Sequence, residues 1–287
     1  MQNALSDRDL LVSLASDVEA NLDRHIAVAA EWQPHDYVPW ADGRNFEFLG
    51  GTDWEPSQSE LSEVAKTALT VSVLIADNLP AYHRELGKYL NRGPWWRWVG
   101  RWTAEENRHE ILIRNYLMVT RAVDPIALER MRMAHMTTGF RRPGMHLLDV
   151  LAAVAFEETA AAVRHRNTAR AADNVIVATI ADRLAADDEL QAVFFANLVT
   201  AALDLAPDQT VRAIADRIAD FHVPTVELAD GRNSDDVLAE AGIYDRADEP
   251  ALVFTPLLDE WKIFTRTDFS EEGEKARAEL AHLRPTA

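Results

Sequence analysis

The stretch RWVGRWTAEENRHEILIRNYL, Arg97 to Leu117, decides the fold. Its apolar residues Val99, Trp102, Ile113 and Tyr116 recur at three-, four- and seven-residue spacing, the period of one helical face. Glu106 and His109 fall on that same face. A carboxylate and an imidazole on a core-facing stripe must be paired or coordinated, because an isolated buried charge is costly. An E-x-x-H pair alone also reads as an ion pair or a solvated face; its place on the apolar stripe argues for a site.

Two further helical segments repeat the pattern. In LLDVLAAVAFEETAAAV, Glu158 continues the stripe of Leu147, Leu151 and Val154, with Glu157 as its shoulder neighbour. Farther on, the face of Val177, Leu184, Phe195 and Leu198 carries Asp188 and Gln191. Three helices thus aim polar groups into one core. That suits a carboxylate metal site in a four-helix bundle, where two helices give single carboxylates and two give Glu-x-x-His pairs. Here one such pair is intact.

Helical periodicity covers nearly the whole chain, with helices expected at about 7–31, 58–91, 94–121, 124–139, 146–172, 174–204, 207–222 and 235–242, and shorter pieces to about 283. Asp124-Pro125 reads as a cap followed by proline at the first helical position, and Pro143-Gly144 as a break. Residues 31–57, rich in proline, glycine and aromatics, form the longest irregular stretch and are expected to pack over the bundle. The expectation is a single all-α domain over 1–287, with four or more long antiparallel helices and a C-terminal helical extension at 243–287.

Composition narrows the chemistry. The 287 residues include no cysteine, which excludes disulfides, thiolate metal sites and a cysteine nucleophile. Any metal must be held by His, Asp, Glu or water, a donor set that favours iron or manganese. The net charge of −18 opposes nucleic acid and anionic membrane surfaces. No apolar run reaches the roughly 18 residues of a membrane span, and the N-terminus does not read as a signal peptide, so a cytoplasmic protein is expected. Phosphate loops, nucleophile elbows and H-E-x-x-H are absent from the sequence.

The words WTAEENRH, WQPHDYVPW, DNLPAYHREL, HRNTAR and EWKIFTRTDFSEEG, in this order from about residue 10 to about residue 283, resemble the soluble acyl-acyl-carrier-protein desaturases, most closely their actinobacterial branch. The resemblance implies a ferritin-like helical bundle with four core helices and flanking ones. It implies a homodimer with a buried di-iron centre and a ferredoxin-type electron donor. The implied activity is oxygen-dependent introduction of a double bond into an acyl chain carried on acyl carrier protein.

Carried over by position, the resemblance assigns Glu106, His109, Glu158 and Asp188 to metal-ligand positions, Asp188 standing where the family has glutamate. Ala76 takes the place of the first helix's glutamate, and Gln191 that of the second motif's histidine. Asp77 points about 100° away from the Ala76 direction on an α-helix, a poor substitute. Ala161 stands where many members have threonine. Trp32, His109 and Asp187 match an electron path from surface to iron, or ordinary packing. With two ligand positions changed, two irons, one metal ion or none are all compatible with the remaining set.

Three functions follow: a desaturase or related oxidase with a remodelled centre; a non-catalytic relative that binds acyl carrier protein or an active paralogue; or a fold kept for another purpose. Acyl carrier proteins are acidic, so binding one requires a local basic surface. The densest basic stretch holds Arg121, Arg130, Arg132, Arg141 and Arg142, of which the last four are candidate carrier contacts; a solvated helix face is the alternative.

Overall fold

The structure is a computed structural model that describes residues 4–138, 145–228 and 231–283. Arg141 and Arg142 lie outside the described residues. The chain forms α1 (Asp7–Ser13), α2 (Ala15–Val28), α3 (Glu63–Ala76), α4 (Leu79–Tyr89), α5 (Gly93–Val119), α6 (Pro125–Thr138), α7 (Leu147–Ala171), α8 (Val175–Leu205), α9 (Pro207–Ala219), α10 (Ser234–Glu240), α11 (Thr255–Glu260) and α12 (Glu271–Glu279). Among the described residues there is no strand; Glu227 and Asn233 make an isolated bridge.

The bundle is ferritin-like, with α3, α5, α7 and α8 as its core. Helices α7 and α8 pack along each other, α3 lies against α5 and α7, and α2 covers the groove between α5 and α8. The expected helix at 58–91 is two helices. Pro80, in the first turn of α4, has no N–H to continue the ladder and its ring clashes with the carbonyl four residues back, that of Ala76. The chain therefore breaks at Asp77 and Asn78. The 7–31 segment is also divided, at Leu14, but its hydrogen bonds continue through that residue, from Leu14 N to Leu10 O at 2.9 Å and from Val18 N to Leu14 O at 3.0 Å.

Two apolar clusters fill the bundle. One gathers Trp98, Trp102, Leu151, Phe156, Phe194 and Phe195; the other gathers Leu69, Val73, Leu112, Ile113, Val177 and Leu184. Along α5 and α8 the clusters meet at Glu105 to His109 and at Asp187 to Gln191, so a polar layer lies between them. Trp98 stacks on Phe194 with ring centroids 3.5 Å apart, joining α5 to α8. Trp261 is buried and donates to the Ala196 carbonyl at 3.0 Å, docking the C-terminal segment on α8.

Residues 31–57 form short 3-10 turns held down by one buried arginine. Arg121 follows α5 in the left-handed region, with φ 52°. Ala122 N bonds Leu117 O at 3.0 Å and Arg121 N bonds Met118 O at 3.3 Å, a Schellman ending that usually carries glycine. The guanidinium compensates for that strain. It lies 4.2 Å over the Phe46 ring and donates to Asn45 O at 2.9 Å and Gln58 Oε1 at 3.0 Å. Arg121 is thus a clamp on the loop and not part of an exposed basic surface. Arg121→Ala is expected to lose about 3 kcal/mol of stability in urea unfolding and to make residues 44–58 protease-sensitive; an unchanged midpoint would contradict the clamp.

Candidate metal centre

Glu106, His109 and Asp188 each offer a ligand atom, and these atoms all lie within 4.8 Å of one another. Helix α5 supplies the first two at i and i+3 and α8 the third, where the two helices pass each other. His109 Nδ1 faces the carboxylates, 3.6 Å from Glu106 Oε1 and 3.7 Å from Asp188 Oδ1. They border a cavity of about 90 Å³ that Ala76, Ala161, Glu158, Arg164 and His165 also line. Glu158 is in that wall but outside the close group of three. Trp102 Nε1 donates to Glu158 Oε1 at 2.7 Å, which fixes its carboxylate.

Two members of the group, His109 and Asp188, are oriented from behind. The His109 Nε2 atom is 3.4 Å from Asp187 Oδ2, and Trp32 Nε1 donates to the same oxygen at 2.8 Å. Trp32, Asp187 and His109 are therefore one connected chain, with Arg183 also bonded to Asp187. Asp188 Oδ2 is 2.6 Å from His165 Nδ1, and the other ring nitrogen of His165 is 3.1 Å from Ser72 Oγ. Burial lowers the His165 pKa, so the neutral ring donates from Nδ1 to Asp188 and accepts at Nε2 from the Ser72 hydroxyl. Such partners hold a ligand's orientation in metal sites.

Burial also shapes the acids. It lifts the Glu106 carboxyl to about 7, against the pull of His109. It raises Glu158 well above the ordinary carboxylate range, and the nearby charges of Glu106 and Asp188 push the same way. For His109, burial opposes charge, but Glu106, Asp187 and Asp188 outweigh it and bring the imidazole to about 9. Glu106 Oε1 and Gln191 Oε1 are buried without a hydrogen-bond partner. An orphaned carboxylate oxygen among acids fits a cation.

The residues fit one metal ion better than the two irons the resemblance implies. Ala76 lines the cavity and has no ligand atom. Asp77 does not replace it: its two oxygens receive Arg132 Nε and Nη2 of α6 at 2.6 Å each. Arg132 is accordingly committed to this pair and is no free cation for a carrier. Gln191 turns its amide nitrogen to Glu105 Oε2 at 3.4 Å. His83 bonds Thr103 Oγ1 at 2.8 Å, away from the cluster.

Beside Arg164, three residues of this layer, His165, Glu105 and His25, lie outside the set drawn from the sequence. His165 lies seven residues after Glu158, on the same stripe, a spacing that could have revealed it. Glu105 and His25 form a second buried pair at 3.0 Å. Burial would raise the Glu105 carboxyl, yet His25 and Arg101 hold it below its ordinary value. His25 comes from α2, far away in sequence, and nothing in its local pattern marks it.

Comparison with known proteins places this geometry in a family. Residues 6–286 match the family model described as Fatty acid desaturase. Acyl-[acyl-carrier-protein] desaturase DesA1 of Mycobacterium tuberculosis is 40% identical, over 98% of this chain and 86% of the relative. DesA2 of the same species is 43% identical over 82% of this chain and 86% of the relative. The X-ray structure of DesA2 from strain H37Rv superposes with a TM-score of 0.77 at 36% identity, covering 93% of this chain and 98% of that one. The chain belongs to the fatty acid desaturase family, among its acyl-[acyl-carrier-protein] desaturases.

Proposed function

We propose that this protein engages acyl groups borne on acyl carrier protein and holds divalent metal at Glu106, His109 and Asp188, without the two-iron centre of a desaturase. The observation that carries this reading is the fate of the remaining ligand positions: alanine at 76, which has no donor atom, and at 191 a neutral glutamine in place of an imidazole. Iron or manganese suits the oxygen-rich donor set, and when bound would supply Lewis-acid or one-electron chemistry. The chain's own part is to orient Nδ1 of His109 through Asp187 and the Asp188 carboxylate through His165.

The carrier surface is assigned to the outer face of α6. Ile126, Arg130 and Met133 share one stripe and are exposed, around an open recess that Pro125 and Glu129 complete. A cation flanked by apolar groups suits an acidic partner with an apolar contact. Among the described residues no helix is long and apolar enough to cross a membrane, which accords with a carrier-borne substrate.

A second reading, oxygen-dependent desaturation with a ferredoxin-type donor in a homodimer, is favoured by the connected Trp32–Asp187–His109 chain. Oxygen uptake that requires both palmitoyl-acyl carrier protein and reduced ferredoxin would decide for it; none is expected.

Glu106→Gln, His109→Ala and Asp188→Asn should each lower bound manganese by more than about half after reconstitution, whereas Asp77→Asn should leave it unchanged while lowering thermal stability. Full occupancy in all three ligand variants would remove the site. For the carrier, Arg130→Glu should weaken binding of palmitoyl-acyl carrier protein at least about tenfold at low salt, with the difference shrinking as salt rises. Equal affinity for the variant and the parent protein would exclude this face.

A further inference from the structure

Arg164 is a buried cation that the metal group does not use. It is 4% exposed, lines the same cavity as Glu106, Glu158 and Asp188, and its Nε has no hydrogen-bond partner. Among the described residues no carboxylate makes a direct ion pair with it; the fields of Asp188, Glu106 and Glu158 all act on it, as does Tyr244. A guanidinium stays charged in proteins, and a buried charge without a partner is unfavourable. Its counter-charge is collective, spread over the three acids of the cavity.

Charge counting then limits what else the cavity takes. Neighbouring acids have their own cations: Glu105 has Arg101, and Asp187 has Arg183. Glu157, also on the cavity wall, is less buried, so solvent screens its charge, and it accepts from the Tyr82 hydroxyl at 3.0 Å. Metal binding displaces the protons that burial favours on its ligands, so in the loaded cavity Glu106, Glu158 and Asp188 face Arg164 as carboxylates. In that loaded state His109 is a neutral imidazole, as is His165, and one divalent ion brings the set to neutrality. Two would leave an excess of two positive charges in a low-dielectric interior, an arrangement that Coulomb repulsion opposes.

We infer that Arg164 stands in for the charge of a second metal, and so makes this a centre for one divalent ion. The inference rests on the assignment of Glu106, His109 and Asp188 as the metal group. It adds, to the ligand positions changed at 76 and 191, an electrostatic cause for the count of one.

The test is calorimetric titration of the metal-free, full-length protein with manganese chloride, for the parent chain and for Arg164→Gln and Arg164→Lys. The parent is expected to bind one equivalent per chain. Arg164→Gln, which removes the charge, should bind the first ion at least about tenfold more tightly and take up a second, weaker equivalent. Arg164→Lys, which keeps the charge, should remain at one. Two equivalents on the parent, or a Gln variant identical to it in count and affinity, would overturn the role of Arg164 while leaving the metal site standing. No binding to the parent would remove the metal site and this inference together. Should the Gln variant fail to fold, Arg164→Met, which also removes the charge but keeps the bulk, takes its place with the same expected and contradicting outcomes.

Discussion

Three carboxylates around a cavity of about 90 Å³, deep between packed helices, are the constraint on which the rest of this structure depends. Glu158 and Asp188 are buried there and Glu106 partly so, and each acid needs a donor or a cation. Trp102 reaches Glu158, His165 reaches Asp188, and His109 shares Glu106 and Asp188. Those partners are themselves held, by Ser72 behind His165 and by Asp187 and Trp32 behind His109. The polar layer is thus ordered from both sides, and the apolar clusters above and below it fix the helices that present it.

The departures from the two-iron pattern fit together physically. Loss of a carboxylate at Ala76 leaves room, and the chain break that Pro80 imposes lets Asp77 turn to Arg132 instead of the cavity. Gln191 brings no charge and joins the His25–Glu105–Arg101 cluster. Arg164 adds a positive charge. A family scaffold with a rebuilt centre is a reminder that the fold specifies where chemistry can occur and not which chemistry does.

Much of this was legible from helical period alone. The stripe through Val99, Trp102, Ile113 and Tyr116 located Glu106 and His109, and corresponding stripes located Glu158, Asp188 and Gln191, because side chains at three- and four-residue spacing must share a face. The departure at Ala76 emerged only by position against the family resemblance. What period does not encode is pairing across helices. Arg132 and Arg121 read as members of a basic stretch, but Asp77 and the loop carbonyls at 44–58 draw them inward. Arg164 was invisible for the same reason: an arginine beside HRNTAR reads as surface until the surrounding helices close over it. The break at Asp77 was foreseeable from Pro80, whose effect the long apolar pattern of 58–91 masked.

The central claim, a desaturase-family bundle whose centre accommodates one metal ion, is tested most directly by electron paramagnetic resonance of the manganese-loaded protein. An isolated Mn(II) sextet accounting for about one spin per chain is the predicted spectrum. The multiline signal of an exchange-coupled pair would contradict it, and would restore a two-metal centre despite Ala76, Gln191 and Arg164.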